Sequence, residues 1–583
     1  MKTTWQSDVW QGSRTARSLV GALDQGTSST RFVVFTQSGQ LLASAQLEHE
    51  QLYPQQGWHE HNPLDLITNS LACMEGVQKL FLKHTNMGKK VVLQALGITN
   101  QRETTLAWNK LTGVPYYNAI VWDDARTSHI AASLGDINTL RAATGLPLSS
   151  YFSGTKVKWL IDNVPELRAD LTARPDQVCF GTVDTWLVYQ LTGQPSNVDG
   201  ALNCQGQFTT DVTNASRWLF LNLATQQWDE RLVAHVCAPH QVPLSTLPTV
   251  GPSARNFGTV QSAALGSVSA LPMLENVPIA AVLGDQQAAL FGQTAFSAGQ
   301  AKNTYGTGLF LMMNTGPTPI SSTHGLLTTI AYQMENEPVI YALEGSVAHA
   351  GSTIQWLRDK LQIIDAAPDT EDLATETNDG LYFVPAFGGL FCPHWRADAR
   401  ACLVGLTAGH HKGHVCRAAL EAAAYQTREV LEAMQADAGI TLDTLKVDGG
   451  ASANRLLMQF QADILHVPVV QPVVMETTSL GAAFAAGLTV GVWESQQQLS
   501  ELWAIQHTFT PQMLDGARQK YFGEWKKAVS KSLGWVEENM PKENKSLVKK
   551  LMSLLLQETS LVAATATLVV GFVLGRMSMA RRA

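Results

Sequence analysis

Three glycine-rich turns constrain this chain more than any other feature of its sequence. They lie in ALDQGTSSTRFVVF from Ala22, NTYGTGLFLMMNTG from Asn303 and LKVDGGASANRLLMQFQADIL from Leu445, and each follows a short β-rich run. Glycine takes backbone conformations that other residues avoid, so such turns let main-chain N–H groups approach a phosphate or a nucleoside closely. One turn falls in the first half of the chain and two in the second. The pattern therefore suits a split site, with two α/β halves facing each other across a cleft.

Length supports two halves. At 583 residues the chain exceeds what one core usually organises. Hydrophobic residues make up 45% and charged residues 15%, a folded globular composition with material for buried sheets. The formal net charge of -8 leaves no basic footprint, so nucleic acid is not an expected partner. Seven cysteines are scattered without a C-x-x-C pair, which reads as reduced thiols rather than a disulfide frame or a zinc site.

The periodicity predicts a β-meander over Leu19 to Leu47, a buried strand in VVLQALGITN from Val91, and a helix over Leu160 to Leu171. In the second half it predicts a helix over His414 to Ala436, and a strand LKVDGG feeding a helix that aligns Leu456, Leu457, Phe460 and Ile464. Val277 to Ala301 is the expected crossover, and Pro195 to Phe208 reads as a loop. The divisions are an extension over 1–17, two large domains over 18–293 and 294–527, a charged linker over 528–558 and an apolar helix over 559–580.

That last segment contains LVAATATLVVGFVLG, Leu561 to Gly575, flanked by Lys549, Lys550, Arg576, Arg581 and Arg582. As a helix it spans roughly 23 Å, short of a bilayer core of about 30 Å but extendable by its flanks. It is expected to be a transmembrane tail anchor. The shortness and basic flanks point to the mitochondrial outer membrane, with the rest of the chain facing the cytosol. A buried or interfacial terminal helix is the alternative.

Asp285, in GDQQAALFGQ, follows an apolar run and opens a helix-like stretch, so it either projects into a cleft or caps that helix. Arg102 and Glu103, in TNQRET, can donate to and accept from hydroxyls, although such a pair is usually a solvated surface pair.

The blocks ALDQGTSSTR, GITNQRETT, NAIVW, YFSGTKVKWL, FGTVDTWL, TNASR, GDQQAALFGQ, AKNTYGTG, YALEGSV and VDGGASAN, in this order, resemble the FGGY family of carbohydrate kinases in its glycerol-phosphorylating branch. The likeness runs from about residue 18 to 527. It implies two ribonuclease-H-like domains of the actin-like sugar-kinase fold, closing over ATP and glycerol with Mg²⁺ as cofactor. It further implies Asp285 as general base, with Arg102, Glu103, Trp122, Tyr151, Gln286 and Phe310 joining Asp285 around glycerol. For the nucleotide it implies Asp24, Gly26, Thr27, Ser28, Gly306, Thr307, Gly351, Gly450, Ala451 and Asn454, with Asp24 also serving the metal. A homo-oligomer is implied as well. One stretch departs from the family pattern: GGLFCPHWRADARA from Gly388 places Cys392, His394 and Arg396 where small, aromatic and acidic residues are usual. The alternatives are a kinase for another short polyol or ketose, or an inactive membrane-tethered scaffold.

Overall fold

The computed structural model describes residues 1–12, 18–85, 91–261 and 271–536. Two sheets organise them. The first has strands β1 (Lys2–Trp5), β2 (Leu19–Gln25), β3 (Ser29–Thr36), β4 (Leu41–Glu48), β5 (Ala95–Asn100) and β6 (Ile279–Gly284), in the order β1-β4-β3-β2-β5-β6. The second has β7 (Ala301–Tyr305), β8 (Leu309–Gly316), β9 (Leu327–Tyr332), β10 (Ile340–Val347), β11 (Leu445–Asp448), β12 (Val469–Pro472) and β13 (Ile505–Phe509), in the order β9-β10-β8-β7-β11-β12-β13.

The two sheets repeat one plan. In each, an antiparallel meander leads to a central strand, β2 or β7, beside which two further strands run parallel. Parallel neighbours end on the same side, and ligands of α/β sheets collect at those carboxyl ends. In the first sheet Gln25, Asn100 and Gly284 are register partners in one row. The Gly26 turn, the Arg102–Glu103 loop and Asp285 therefore leave the sheet at one edge. In the second, Thr304 pairs with Asp448, so the turns after Tyr305 and Asp448 also open side by side.

Helices cover both faces. Helix α1 (Pro63–His84) packs on the first meander, with Phe81 fully buried. Helices α2 (Ser153–Asn163), α3 (Asp285–Gly292), α4 (Gly351–Asp359), α5 (Lys412–Ala438), α6 (Arg455–Leu465), α7 (Thr477–Thr489) and α8 (Asp515–Ser532) follow. A core of its own fills each domain, and a third cluster joins them, built from Leu283, Leu290, Phe291, Ala482, Phe484 and their neighbours. Helix α7 belongs to the second half by sequence, yet it lies against the first sheet. Its Ala482 carbonyl sits where a Cβ on Gly97 would be, 2.1 Å away, so a glycine in β5 is what admits this approach.

Several sequence-based expectations change here. Within the N-terminal extension, Lys2–Trp5 pairs antiparallel with β4 as an edge strand, and the Trp5 ring packs 5.2 Å from Phe81. Leu160 to Leu171 is two helices, because Pro165 lacks the N–H and restricts Val164, ending α2 at Asn163 before a second helix begins. Within Pro195 to Phe208, Gln194–Pro195 pairs with Asn203–Cys204 in a small hairpin. The linker drawn from 528 is helical as far as Ser532, with Ala528 and Val529 buried, because α8 packs Trp525 and Val529 into the second core. The apolar segment Leu561 to Gly575 lies outside the described residues; among the described residues no helix is long and apolar enough to cross a membrane.

Candidate active site

The first strand edge delivers a set of buried charges. Arg102 is almost wholly enclosed. Its Nη1 and Nη2 donate to Glu344 at 2.6 and 2.8 Å, Nη1 also reaches Gln287 at 3.1 Å, and Nε lies 3.2 Å from Asp285 Oδ1. A Cβ on Gly284 would stand 2.6 Å from the Arg102 stem, so that glycine clears the arginine's path across β6. Glu103 has φ of 59°, costly for a residue with a side chain. Hydroxyl bonds from Thr105 and Ser153 to its carbonyl fasten that turn. Its Oε1 accepts from Arg217 Nε at 2.5 Å.

Asp285 opens α3 but does not cap it. Gly284 is the N-cap residue, and the Asp285 carboxylate accepts from the adjacent Gln286 N–H at 2.8 Å. Its side chain keeps 27% of its surface exposed and is bordered by Arg102. Burial raises its pKa above the ordinary carboxylate range, against the opposing pull of Arg102 and Lys302. A carboxylate of raised proton affinity, open to the cleft, is the chemistry of a general base.

Aromatic rings face this polar set. Trp122 and Tyr151 meet edge to face at 5.6 Å, and Phe310, from the second domain, approaches Trp122 at 6.1 Å. The rings of Trp122, Tyr151 and Phe310 thus come together at one place. Lys156, fully buried on α2, donates to the carbonyls of Ser150 and Tyr151 at 2.9 and 2.7 Å and so fixes the Tyr151 backbone; burial lowers its pKa to about 8. Gln286 follows Asp285, and its Oε1 accepts from Lys302 Nζ at 2.6 Å.

The phosphate turns need a finer correction. Gly26 and Gly306 do not aim their amides outward: each donates within its own turn, to Ser29 and Gly308, at 3.0 Å. Among the described residues the N–H groups of Thr27, Ser28, Thr307 and Gly308 have no backbone partner, and those are the donors that remain for an anion. Trp122 Nε1 donates to Thr27 Oγ1 at 2.9 Å, linking the first turn to the aromatic wall. Gly351 starts α4 directly beneath the second turn, where a Cβ would lie 2.4 Å from the Gly306 carbonyl. Gly449, with φ of 87°, brings the third turn against Tyr305, so Gly450 and Ala451 flank the second. Asn454 sits at the same end, but its Oδ1 caps α6 by accepting from Leu457 N–H at 2.9 Å.

Asp24 lies one residue from the end of β2 and accepts from Ser479 Oγ at 2.9 Å. Burial raises its pKa, with Arg31 and Ser479 opposing. A desolvated carboxylate with one protein donor fits a cation that is otherwise held by phosphates and water, the usual habit of Mg²⁺. Among the described residues no group of three metal-ligating side chains occurs.

Three residues central to this geometry were not singled out from sequence. Arg217 ends the TNASR block, which Asp211 pins by accepting from the Thr213 and Asn214 amides. Glu344, in YALEGSV, is fully buried; burial favours its neutral form, but Arg102 and Arg217 prevail and hold its pKa down to about 2. Lys302, in AKNTYGTG, is fully buried and lowered by that burial to about 8. Each sits in a quoted block, and for Glu344 the signal is a charge inside IYALEGSV, a strand otherwise built of apolar and small residues.

With this geometry in view, the comparisons with known proteins are decisive. The profile of the FGGY family of carbohydrate kinases, N-terminal domain, matches residues 19–292, and that of its C-terminal domain matches 301–490. The chain belongs to the FGGY family of carbohydrate kinases. It is 50% identical over 526 residues to a glycerol kinase of Methylorubrum extorquens, covering 89% of this chain and 99% of that protein. To the glycerol kinase of Chloroflexus aggregans it is 48% identical over 521 residues, 88% and 99% of the two. A crystal structure of Plasmodium falciparum glycerol kinase with ADP superposes with a TM-score of 0.78 at 37% identity, covering 88% of this chain and 98% of that one. Lactobacillus acidophilus gluconate kinase gives 0.74 at 19% identity, a likeness of FGGY fold alone.

The family's unusual stretch is accommodated. Arg396 forms a two-bond pair with Asp398, at 2.6 and 2.5 Å, and Asp398 in turn accepts from the Gly534 N–H beyond α8. Cys392 is buried, and His394 lies 3.2 Å from Glu429. The reversed charge therefore turns toward the end of α8 and leaves Asp24 and Asp285 untouched.

Proposed function

We propose that Asp285 is the general base of an ATP-dependent glycerol phosphorylation carried out between the two domains. The chain is a kinase of glycerol: relatives near half identity, covered almost end to end, share that activity. What supports the assignment of roles is Asp285 itself, an open carboxylate of raised pKa beside Arg102, at the sheet edge that also carries the Gly26 turn.

A terminal glycerol hydroxyl donates to Asp285 while the neighbouring hydroxyls engage Glu103 and Arg102. The carbon chain rests on Trp122, Tyr151 and Phe310. As the hydroxyl oxygen bonds to the γ-phosphorus, the bridging oxygen–γ-phosphorus bond breaks, ADP leaves with the electron pair, and Asp285 receives the proton. The product is sn-glycerol 3-phosphate. The amides of Thr27, Ser28, Thr307 and Gly308 steady the charge on the transferred group, and Gly450, Ala451 and the Asn454 end of the third turn border the nucleoside. Mg²⁺, held through Asp24, supplies further charge neutralisation when bound. Closure of the domains excludes water, which would otherwise accept the phosphoryl group.

The tail is part of this reading. We infer that Leu561 to Gly575 anchors the chain in the mitochondrial outer membrane, on the strength of its apolar run and basic flanks. The two bacterial relatives above leave about a tenth of this chain unmatched, so the choice of membrane rests on those flanks alone. Homo-oligomer formation is carried in the same proposal, and light scattering of detergent-solubilised chain tests it. For the reaction, purified chain with ATP is offered glycerol, other short polyols and ketoses. Glycerol should give the highest kcat/KM; a ketose that exceeds it would replace this acceptor, and no turnover with any acceptor would favour the scaffold.

A further inference from the structure

Glu344 belongs to the second sheet, yet its carboxylate is committed to the first domain. It sits in the middle of β10 without exposed surface. Oε2 accepts from Arg102 Nη1 at 2.6 Å and Arg217 Nη1 at 3.2 Å, and Oε1 accepts from Arg102 Nη2 at 2.8 Å and Arg217 Nη2 at 3.3 Å. Only Ser346, 3.3 Å away, comes from its own strand. One carboxylate therefore fixes two guanidinium planes at once, a fork geometry that specifies orientation as well as charge.

The other edge of each guanidinium is what meets the acceptor side. Arg102 Nε faces Asp285 at 3.2 Å, and Arg217 Nε donates to Glu103 at 2.5 Å. Glu344 reaches the base and the hydroxyl-accepting carboxylate only through these two arginines. Arg102, Arg217 and Lys302 lie among Glu103, Asp285 and Glu344, with Asp448 also facing Lys302 and Lys156 acting on Glu103. Without Glu344 the charged partners left to the two buried arginines are Asp285 and Glu103, with Gln287 a neutral acceptor for Arg102, and both carboxylates would be drawn out of the geometry a glycerol hydroxyl needs.

We propose that Glu344 is a positioning residue that ties acceptor affinity to the seating of the second domain: by holding Arg102 and Arg217 it sets Asp285 and Glu103, so glycerol binding depends on a side chain that does not touch glycerol. This rests on the acceptor site assigned above.

The test uses the full chain with both substrates varied. Glu344→Gln keeps size and removes the charge; KM for glycerol should rise roughly 30-fold or more while KM for ATP stays within about threefold. Glu344→Asp keeps the charge and withdraws it by one methylene. It should raise the glycerol KM by a smaller factor, about fivefold to tenfold, again without moving ATP, and it decides the matter if the Gln variant fails to fold. Equal changes in both KM values, or no change in either, overturn the proposal while leaving the function intact. A wild-type chain without glycerol-dependent turnover overturns the acceptor assignment and this inference with it.

Discussion

The acceptor side and the nucleotide side of the cleft are built on opposite principles. The acceptor side is a closed lattice of side-chain charges: Arg102, Glu103, Arg217 and Glu344 are all buried and bonded to one another before any ligand arrives. The nucleotide side is main chain on turns, with the Thr27, Ser28, Thr307 and Gly308 amides without a backbone partner among the described residues, and Ser28 and Thr307 exposed. A small uncharged triol offers little binding surface, so its site must be organised in advance. A polyanion brings its own charge and needs only donors aimed at it, which short turns from each domain supply. The difference teaches that damage on the two sides should separate cleanly in kinetics.

The largest effect should come from Asp285→Asn, which keeps the shape and removes the proton acceptor. Turnover should fall roughly 10² to 10⁴-fold with both KM values little changed. A kcat within a few-fold of wild type, measured in a coupled ADP assay, would make Asp285 a structural residue. Next in size is Arg102→Lys, which preserves the charge but cannot hold Glu344 twice and Asp285 as well. We expect the glycerol KM to rise roughly 10²-fold and the ATP KM to stay put. An equal rise for ATP would erase the division between the two sides.

On the nucleotide side, Gly351→Ala forces a methyl against the Gly306 carbonyl and shifts the second turn. The ATP KM should rise about tenfold with glycerol unaffected, the mirror image of the Arg102 result. A pH measurement sharpens the acceptor side further. The deprotonated Asp285 is the active base, so kcat/KM is lost as pH falls through its pKa, and burial places that limb above the range of an exposed carboxylate. Lys302 opposes the rise, so Lys302→Met should move the limb to higher pH by about half to one unit. A limb that moves down, or stays, contradicts the assignment. The smallest kinetic effect belongs to deletion of Leu561 to Ala583: activity should persist while the chain moves from the membrane pellet to the supernatant after lysis. Full-length chain in the supernatant would remove the anchor.

How much of this was legible in the sequence differs between the same two sides. The glycine turns announced themselves because their backbone demand leaves a residue signature, and the meander over Leu19 to Leu47 followed from three short β-rich runs separated by the turns QGTSS and TQSGQ. Which amide in each turn faces outward was not legible: Gly26 and Gly306 close their turns with hydrogen bonds that depend on residues two or three positions on. On the acceptor side, Arg102, Glu103 and Asp285 were found through the family's blocks. Arg217 and Glu344 were not, because their role exists only once residues 127 apart in sequence meet across the domains. Pairing of that range leaves no local periodicity. Val164–Pro165 shows the reverse case, a local signal that overrules an apparent single helix.

The most direct measurement is a single turnover with enzyme in excess over γ-labelled ATP and saturating glycerol, following where the label goes. The account requires the label to appear in glycerol 3-phosphate in one exponential phase, with inorganic phosphate a minor product. Label that goes to inorganic phosphate, or stays on ATP while glycerol is bound, would contradict it.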